Sequence, residues 1–428
     1  MNQQKKVVVI DGCRTPFLRS GTDYMDLMSY QIAQFAIKGL LTKTGIDPKE
    51  VGRVIMGTVI SNIKTSNVAR EAALTAGIPN TTPCHTVAMA CISANRAIST
   101  AYAEILAGQY DVAIAGGVDS TSDTPIGFRK EMRKKLFNAQ KLKGLGDTLK
   151  FVFSLSIKDF LPEKPAVAEY STNRVMGQDC DIMAARFKIS REEQDEFALR
   201  SHLLAAKAWD EGKLDDEVCE VSLPPKFAPI KKDNGVRGDS KLEKLQKLRP
   251  AFDKKFGTLT AANSSFLTDG AAATLLMTEE KAKELGLTPK AEIVDYVFTG
   301  GDLMTELLLG PAYSIAKILD KTGLTLEDMD VIELHEAFAG QVLSNLKALA
   351  SDEFAQKHLG KEKAVGKVNM DKMNLWGGSL SIGHPFGATG SRLVTTAANR
   401  LQKEGGKYAL IAACAAGAHG HAMILKKY

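Results

Sequence analysis

Residues 94–117, ANRAISTAYAEILAGQYDVAIAGG, and residues 387–417, GATGSRLVTTAANRLQKEGGKYALIAACAAG, follow the same order of elements. In the first, Ala97/Ile98, Ala101/Tyr102 and Ile105/Leu106 recur at helical spacing and Gly108 closes the run. A short apolar strand follows and ends in two glycines. The second stretch has the same helix, Gly stop and apolar strand, ending in small residues. A strand that is apolar throughout is covered on both faces, which calls for helices on either side of a sheet.

The same grammar extends outward. KKVVVIDGCRTPF, residues 5–17, reads as a buried strand, Val7 to Ile10, ending in a Gly turn. A helical pattern follows from Tyr24 to Thr44, with Gly45 as its C-cap. AEIVDYVF, residues 291–298, matches the opening strand, so the chain reads as two similar halves. The expected organisation is an N-terminal half of residues 1–120 plus 251–288 and a C-terminal half of 289–428. Residues 121–250 form an insertion laid over one face. Within it, SREEQDEFALRSHLLAAKAWDEGKL is a helix, with Ser190 and Glu193 set as a capping box.

Bulk properties exclude several classes. The 428 residues are 44% hydrophobic and 25% charged, an ordinary globular balance. No apolar run reaches the roughly 18 residues that span a bilayer. The opening residues carry no secretory pattern, so a cytoplasmic location is expected. The six cysteines, at 13, 84, 91, 180, 219 and 414, include no Cys-x-x-Cys pair, which argues against a disulfide framework and a metal site. The net charge is +5, and residues 121–150 alone hold eight basic against three acidic side chains. Few aromatics and no recognition motif accompany them, so no nucleic-acid partner is expected.

Four stretches read as site loops: MACISANRA with Cys91, ELHEAFAG with His335, SIGHPFGATG with His384, and AACAAGAHGH with Cys414. Three lie at strand ends, where α/β sheets place ligands. Cys91 precedes a helix whose free N–H groups favour a thiolate and a lowered pKa; the alternative is a small buried filler. His384, between Gly383 and Pro385, sits in a stiff turn, either as a base for a thiol or as a turn histidine. Cys414 precedes small residues that admit backbone donors close to a ligand; the alternative is a buried strand-end thiol. His335, by local pattern, is a supporting histidine.

ACISAN, GTLTAANSSFLTDGAA, HEAF, NLWGGSLSIGHPFGATG and AACAAGAHGHAM, in this order along the chain, resemble the thiolase family. They are most similar to the long-chain 3-ketoacyl-CoA thiolases (acetyl-CoA C-acyltransferases) that serve as β-subunits of trifunctional-type fatty-acid oxidation complexes. The resemblance implies a thiolase fold, layered αβαβα from two βαβ-rich halves. It implies Cys91 as nucleophile, His384 as base and oxyanion partner, and Cys414 as general acid/base. It further implies His335 as oxyanion donor or water holder, and the Ala416 N–H as a second oxyanion donor. Many thiolases carry Asn in place of His335 and Gly in place of Ala416. By the same resemblance Ser265 meets the pantetheine of coenzyme A and Arg237 its adenine end. Coenzyme A is a substrate, and no cofactor or metal is implied.

The implied partners are acyl-CoA, coenzyme A, a second copy of the chain and a hydratase/dehydrogenase α-subunit. Residues 121–160 suit a peripheral membrane or subunit contact, or simply a solvated basic face. The rival readings are a biosynthetic, acetoacetyl-CoA-forming thiolase, a ketoacyl-synthase-like condensing enzyme, and a non-catalytic lipid-binding or scaffold subunit on the same fold.

Overall fold

A computed structural model describes residues 5–163, 165 and 168–428. Nine strands order the core: β1 (Val7–Arg14), β2 (Arg53–Gly57), β3 (Cys84–Val87), β4 (Val112–Asp119), β5 (Thr268–Thr278), β6 (Ala291–Gly300), β7 (Met329–Leu334), β8 (Tyr408–Ala415) and β9 (His419–Lys427). They run in the order β7-β8-β9-β6-β1-β5-β4-β2-β3, and the short strand Leu18–Arg19 pairs with β5 as a tenth member.

The two halves repeat one topology. In each, the first strand pairs antiparallel with the last, the last pairs antiparallel with its predecessor, and the next pair is parallel. The N-terminal half adds β3 as a fifth, parallel strand. In the C-terminal half that place is reduced to a single parallel bridge between Ile332 and Met373. The halves join where Val8 and Val9 of β1 meet Glu292 and Ala291 of β6.

Helices α1 (Ser29–Thr44) and α2 (Val68–Thr75) cover the outer face of the N-terminal half. Helix α3 (Ser93–Leu106) packs with the long helix near the C-terminus, Thr389–Glu404, between the two halves of the sheet. Ile98, Ala101 and Ile105 there meet Leu393, Val394 and Leu401. The outer face of the C-terminal half is covered by the helices Gly310–Thr322 and Ala339–Leu349. The three largest apolar cores thus lie between five layers, the αβαβα arrangement. Burying these side chains stabilises the fold by about 25 cal/mol per Å² of apolar surface.

Within 121–250, α4 (Lys130–Ala139) and α5 (Leu145–Ser154) form an exposed hairpin. Helices α6 (Met176–Arg186) and α7 (Arg191–Asp210) lie against the C-terminal half. Helix α7 begins with the reciprocal box read from the sequence: Glu193 N–H donates to Ser190 Oγ at 3.1 Å and Ser190 N–H donates to the Glu193 carboxylate at 2.6 Å.

Two local readings are corrected. The opening strand does not stop at Ile10 but continues through Gly12 to Arg14. Gly12 sits in the strand because the Thr389–Glu404 helix crosses there: a Cβ would lie 1.9 Å from Thr395 Oγ1. The strand bearing Cys414 is not the last. Residues 416–418 form a tight turn, with Gly417 and Ala418 at φ +80° and +56°, into β9.

Candidate active site

Cys91 stands at the seam between β3 and α3. Ala90, immediately before it, has φ +45°, a left-handed conformation costing about 1–2 kcal/mol for a residue with a Cβ. Ser93 holds that turn. Its hydroxyl accepts from Met89 N–H at 2.8 Å and donates to the Ala90 C=O at 2.7 Å. The strained turn fixes the thiol at one wall of a cavity of about 490 Å³, lined mostly by apolar groups. Val59, Leu267 and Phe386 come from loops of the two halves, and Ala168, Glu169 and Met176 from the 121–250 segment.

The expectation of a lowered Cys91 pKa is overturned. Burial pushes the thiol up to about 12, and the charge of Asp119 adds to the effect. The nearby backbone N–H groups of Ala416 and of Cys91 itself pull the other way, but desolvation wins. Cys91 therefore rests as a thiol and needs a base when it attacks.

Cys414 is buried on β8, opposite Gly420 of β9. Its pKa is also raised, first by burial and then by the charge of Cys91. The two thiols, 323 positions apart in the chain, are thus within electrostatic reach of each other. Glu169 accepts the Gly417 N–H at 2.9 Å and braces the turn that carries Ala416.

His384 follows Gly383, whose φ of +115° is open to glycine. Its backbone N–H donates to Thr268 Oγ1 at 3.0 Å, fastening the loop to the start of β5. The ring is buried, Nδ1 lies 2.6 Å from Thr389 Oγ1, and Nε2 has no partner among the described residues. His335 lies beside it, with ring centroids 4.1 Å apart. The His335 Nδ1 meets Ser379 Oγ at 3.1 Å, and its Nε2 is likewise unpartnered. Burial, with Arg392 adding its charge, holds the His384 pKa down to about 3. Burial first, then His384 and Arg392, lowers that of His335 far below its usual value. Both rings are neutral near pH 7. A buried ring nitrogen without a partner is costly in a finished fold and useful where a ligand supplies the missing contact.

The two residues read as coenzyme A contacts lie elsewhere. Ser265 N–H donates to the Ala337 C=O at 2.9 Å, tying its loop to the segment after His335. Arg237 is exposed, and its N–H donates to His202 Nδ1 at 3.2 Å. Neither lines the cavity beside Cys91. Arg19, which the sequence did not single out, stacks 4.0 Å over Phe266. Its pKa is lowered by burial and by Arg237, so the two cations share one surface. Asp119, Glu169, Ser379 and Arg392 were also not singled out, because each acts across a gap in sequence that no local pattern marks; nor was Thr389, which acts on His384 from only five positions away. Among the described residues, no three His, Cys, Asp or Glu side chains are grouped to hold a metal.

Comparison with known proteins agrees with this fold. The thiolase N-terminal domain matches residues 7–280 and the thiolase C-terminal domain residues 287–427. The chain is 54% identical to the mitochondrial trifunctional enzyme subunit beta of Mus musculus, over 99% of this chain and 89% of the mouse protein. It is 44% identical to a 3-ketoacyl-CoA thiolase of Photorhabdus laumondii, over 99% of this chain and 97% of that one. The crystal structure of the Bacillus anthracis acetyl-CoA acetyltransferase superposes with a TM-score of 0.85 at 32% identity, covering all of both chains. Two matched domains spanning nearly every residue, on the layered fold described above, place the chain in a single family of acyltransferases: it is a member of the thiolase family.

Proposed function

We propose that this chain is a 3-ketoacyl-CoA thiolase, which cleaves 3-ketoacyl-CoA with coenzyme A to acetyl-CoA and an acyl-CoA two carbons shorter, in fatty-acid β-oxidation. The supporting observation is a half-buried Cys91 thiol at the wall of an apolar cavity, with Ala416 lining the same cavity. His384 Nε2 takes the Cys91 proton as the sulfur attacks the 3-keto carbon. The resulting oxyanion is met by His335 and by the His384 N–H just formed. Collapse breaks the bond between C2 and C3. The acetyl-CoA carbanion takes a proton from Cys414 and leaves an acyl thioester on Cys91. The Cys414 thiolate then deprotonates an incoming coenzyme A thiol. That thiolate attacks the acyl-enzyme, with Cys91 N–H and Ala416 N–H holding the oxygen. Release of the acyl-CoA returns the His384 proton to Cys91. No outside redox partner or metal enters this balance.

Coenzyme A lies toward Ser265 and Arg237 in this reading, its phosphates near the Arg19–Arg237 surface. The working unit is at least a dimer, and a hydratase/dehydrogenase α-subunit is the expected partner, a reading supported by likeness to trifunctional enzyme β-subunits. The α4–α5 hairpin is the contact proposed for that partner or an anionic membrane surface. Leu145 and Phe153 there, and Ile157 just after it, are each more than 80% exposed, among lysines. No described helix is long and apolar enough to cross a membrane. The two working thiols must stay reduced, which suits the cytoplasm as the proposed compartment.

A thiolytic assay across acyl chain lengths, with and without an α-subunit, tests the reading. Cleavage of 3-ketoacyl-CoA that depends on coenzyme A is expected. Consumption of malonyl thioesters without it would favour a condensing enzyme.

A further inference from the structure

The two neighbouring imidazoles of the site are each held through Nδ1 by one hydroxyl, and a count of hydroxyl protons fixes where each ring carries its hydrogen. Thr389 Oγ1 lies 2.6 Å from His384 Nδ1 and 3.0 Å from the Pro385 C=O. A carbonyl only accepts, so a bonded contact to Pro385 uses the single hydroxyl hydrogen. The contact to His384 is then bonded when Nδ1 donates. The reverse assignment would leave two oxygens 3.0 Å apart with no hydrogen between them. His384 therefore carries its proton on Nδ1 and leaves Nε2 as a bare acceptor.

Ser379 runs the opposite way. Its Oγ accepts from Arg392 Nη2 at 3.2 Å and lies 3.1 Å from His335 Nδ1. A guanidinium has no lone pair to accept a hydrogen. Among the described residues, His335 Nδ1 is the one acceptor within reach of the Ser379 hydroxyl. Ser379 is buried, so a hydrogen pointing elsewhere would go unbonded. His335 Nδ1 thus accepts, and the proton sits on Nε2. Arg392 is in turn held by Glu333, at 3.4 Å, and Glu333 by Arg400, at 2.9 Å.

We infer that Ser379, held in place by Arg392 and through it by Glu333, is a positioning residue that sets His335 as an N–H donor, opposite to the acceptor form that Thr389 sets on His384. The inference rests on the thiolase reading for its chemical use. One ring offers a lone pair for the Cys91 proton. The other offers an N–H to the developing oxyanion. Two rings of the same form would fail: two acceptors would repel the oxyanion, and two donors would leave the thiol without a base.

Solid-state ¹⁵N NMR of the full-length, histidine-labelled protein near pH 7 reads both tautomers, with His335→Gln and His384→Gln used for assignment only. The expected spectrum has the proton on Nε2 of His335 and on Nδ1 of His384. A proton on Nδ1 of His335 overturns the proposal. In Ser379→Ala, the His335 signals should become a mixture of forms and kcat should fall by up to roughly 10²-fold, the scale of one lost oxyanion donor, with KM for coenzyme A unchanged. Unchanged His335 signals and kcat in that variant also overturn it. Should Ser379→Ala not fold, the wild-type spectrum decides alone. Absence of thiolysis by the wild type would remove the thiolase reading while leaving the tautomers readable.

Discussion

The carboxylate of Asp119, at the end of β4, accepts the backbone N–H of Gly387 at 2.5 Å. The same carboxylate accepts from Val59 and Ile60 N–H and the Thr58 hydroxyl, at 2.8–3.0 Å. One buried side chain therefore ties the N-terminal loop that walls the cavity to the C-terminal loop that carries His384. The backbones meet closely here: a Cβ on Gly117 would lie 1.8 Å from the Gly387 carbonyl oxygen. Only glycine at 117 lets β4 touch that loop.

Asp119→Asn should loosen this junction. The amide cannot accept on both sides as the carboxylate does, so one or more buried N–H groups lose their partner. A loss of about 1–3 kcal/mol in stability is expected. Denaturant unfolding checks it, and kcat should fall with it because the His384 loop is no longer pinned.

The raised Cys91 pKa gives a pH signature. A thiol held near 12 by burial is protonated at pH 7, so little thiolate exists in the free enzyme. Inactivation by iodoacetamide should keep accelerating as pH rises through 8, 9 and 10. A plateau near neutrality would indicate a preformed thiolate.

Buried neutral histidines should make the fold acid-sensitive. His421 packs 4.8 Å from Phe298, with both ring nitrogens unpaired among the described residues, and burial holds its pKa at about 3. The unfolded chain binds its proton near pH 6.5 and the folded chain does not, so this contribution is present above about 6.5 and is lost as pH falls toward 3. Asp119 and Glu333, raised to about 6 and 7 by burial, act with the opposite sign. Comparison with His421→Phe isolates the histidine. Below pH 6.5 the variant should gain on the wild type by about 1.4 kcal/mol per pH unit. A pH-independent difference between the two would contradict the assignment.

Much of this was legible in the sequence, because it rests on local pattern. Apolar strands after Gly-stopped helices gave the two halves, and Gly45 does cap α1 in the left-handed conformation, at φ +68°. The loops carrying Cys91, His335, His384 and Cys414 were found because small residues, Gly and Pro cluster where strands end. What local pattern could not supply is depth and reach. The helix start beside Cys91 suggested an acidic thiol, yet burial reverses the sign. Gly12 looked like a turn because the helix that crosses it lies nearly 400 positions later. Ser379 acts on His335 from 44 positions away and looks like any helix-start serine.

The two thiols should separate by function. Cys414→Ala removes the proton donor while leaving Cys91 and its base, so acyl transfer from a simple acyl-CoA to Cys91 should persist. Carbon–carbon cleavage should fall by roughly 10²–10⁴-fold, the range for a lost acid–base group. Stopped-flow release of coenzyme A and a steady-state cleavage assay read the two steps apart.

Mass spectrometry of peptides after brief incubation with a saturated acyl-CoA tests the central claim most directly. The account predicts one acyl group, on Cys91, absent in Cys91→Ser and discharged by added coenzyme A. An acyl group on Cys414 or any other residue, with Cys91 unmodified, would contradict it.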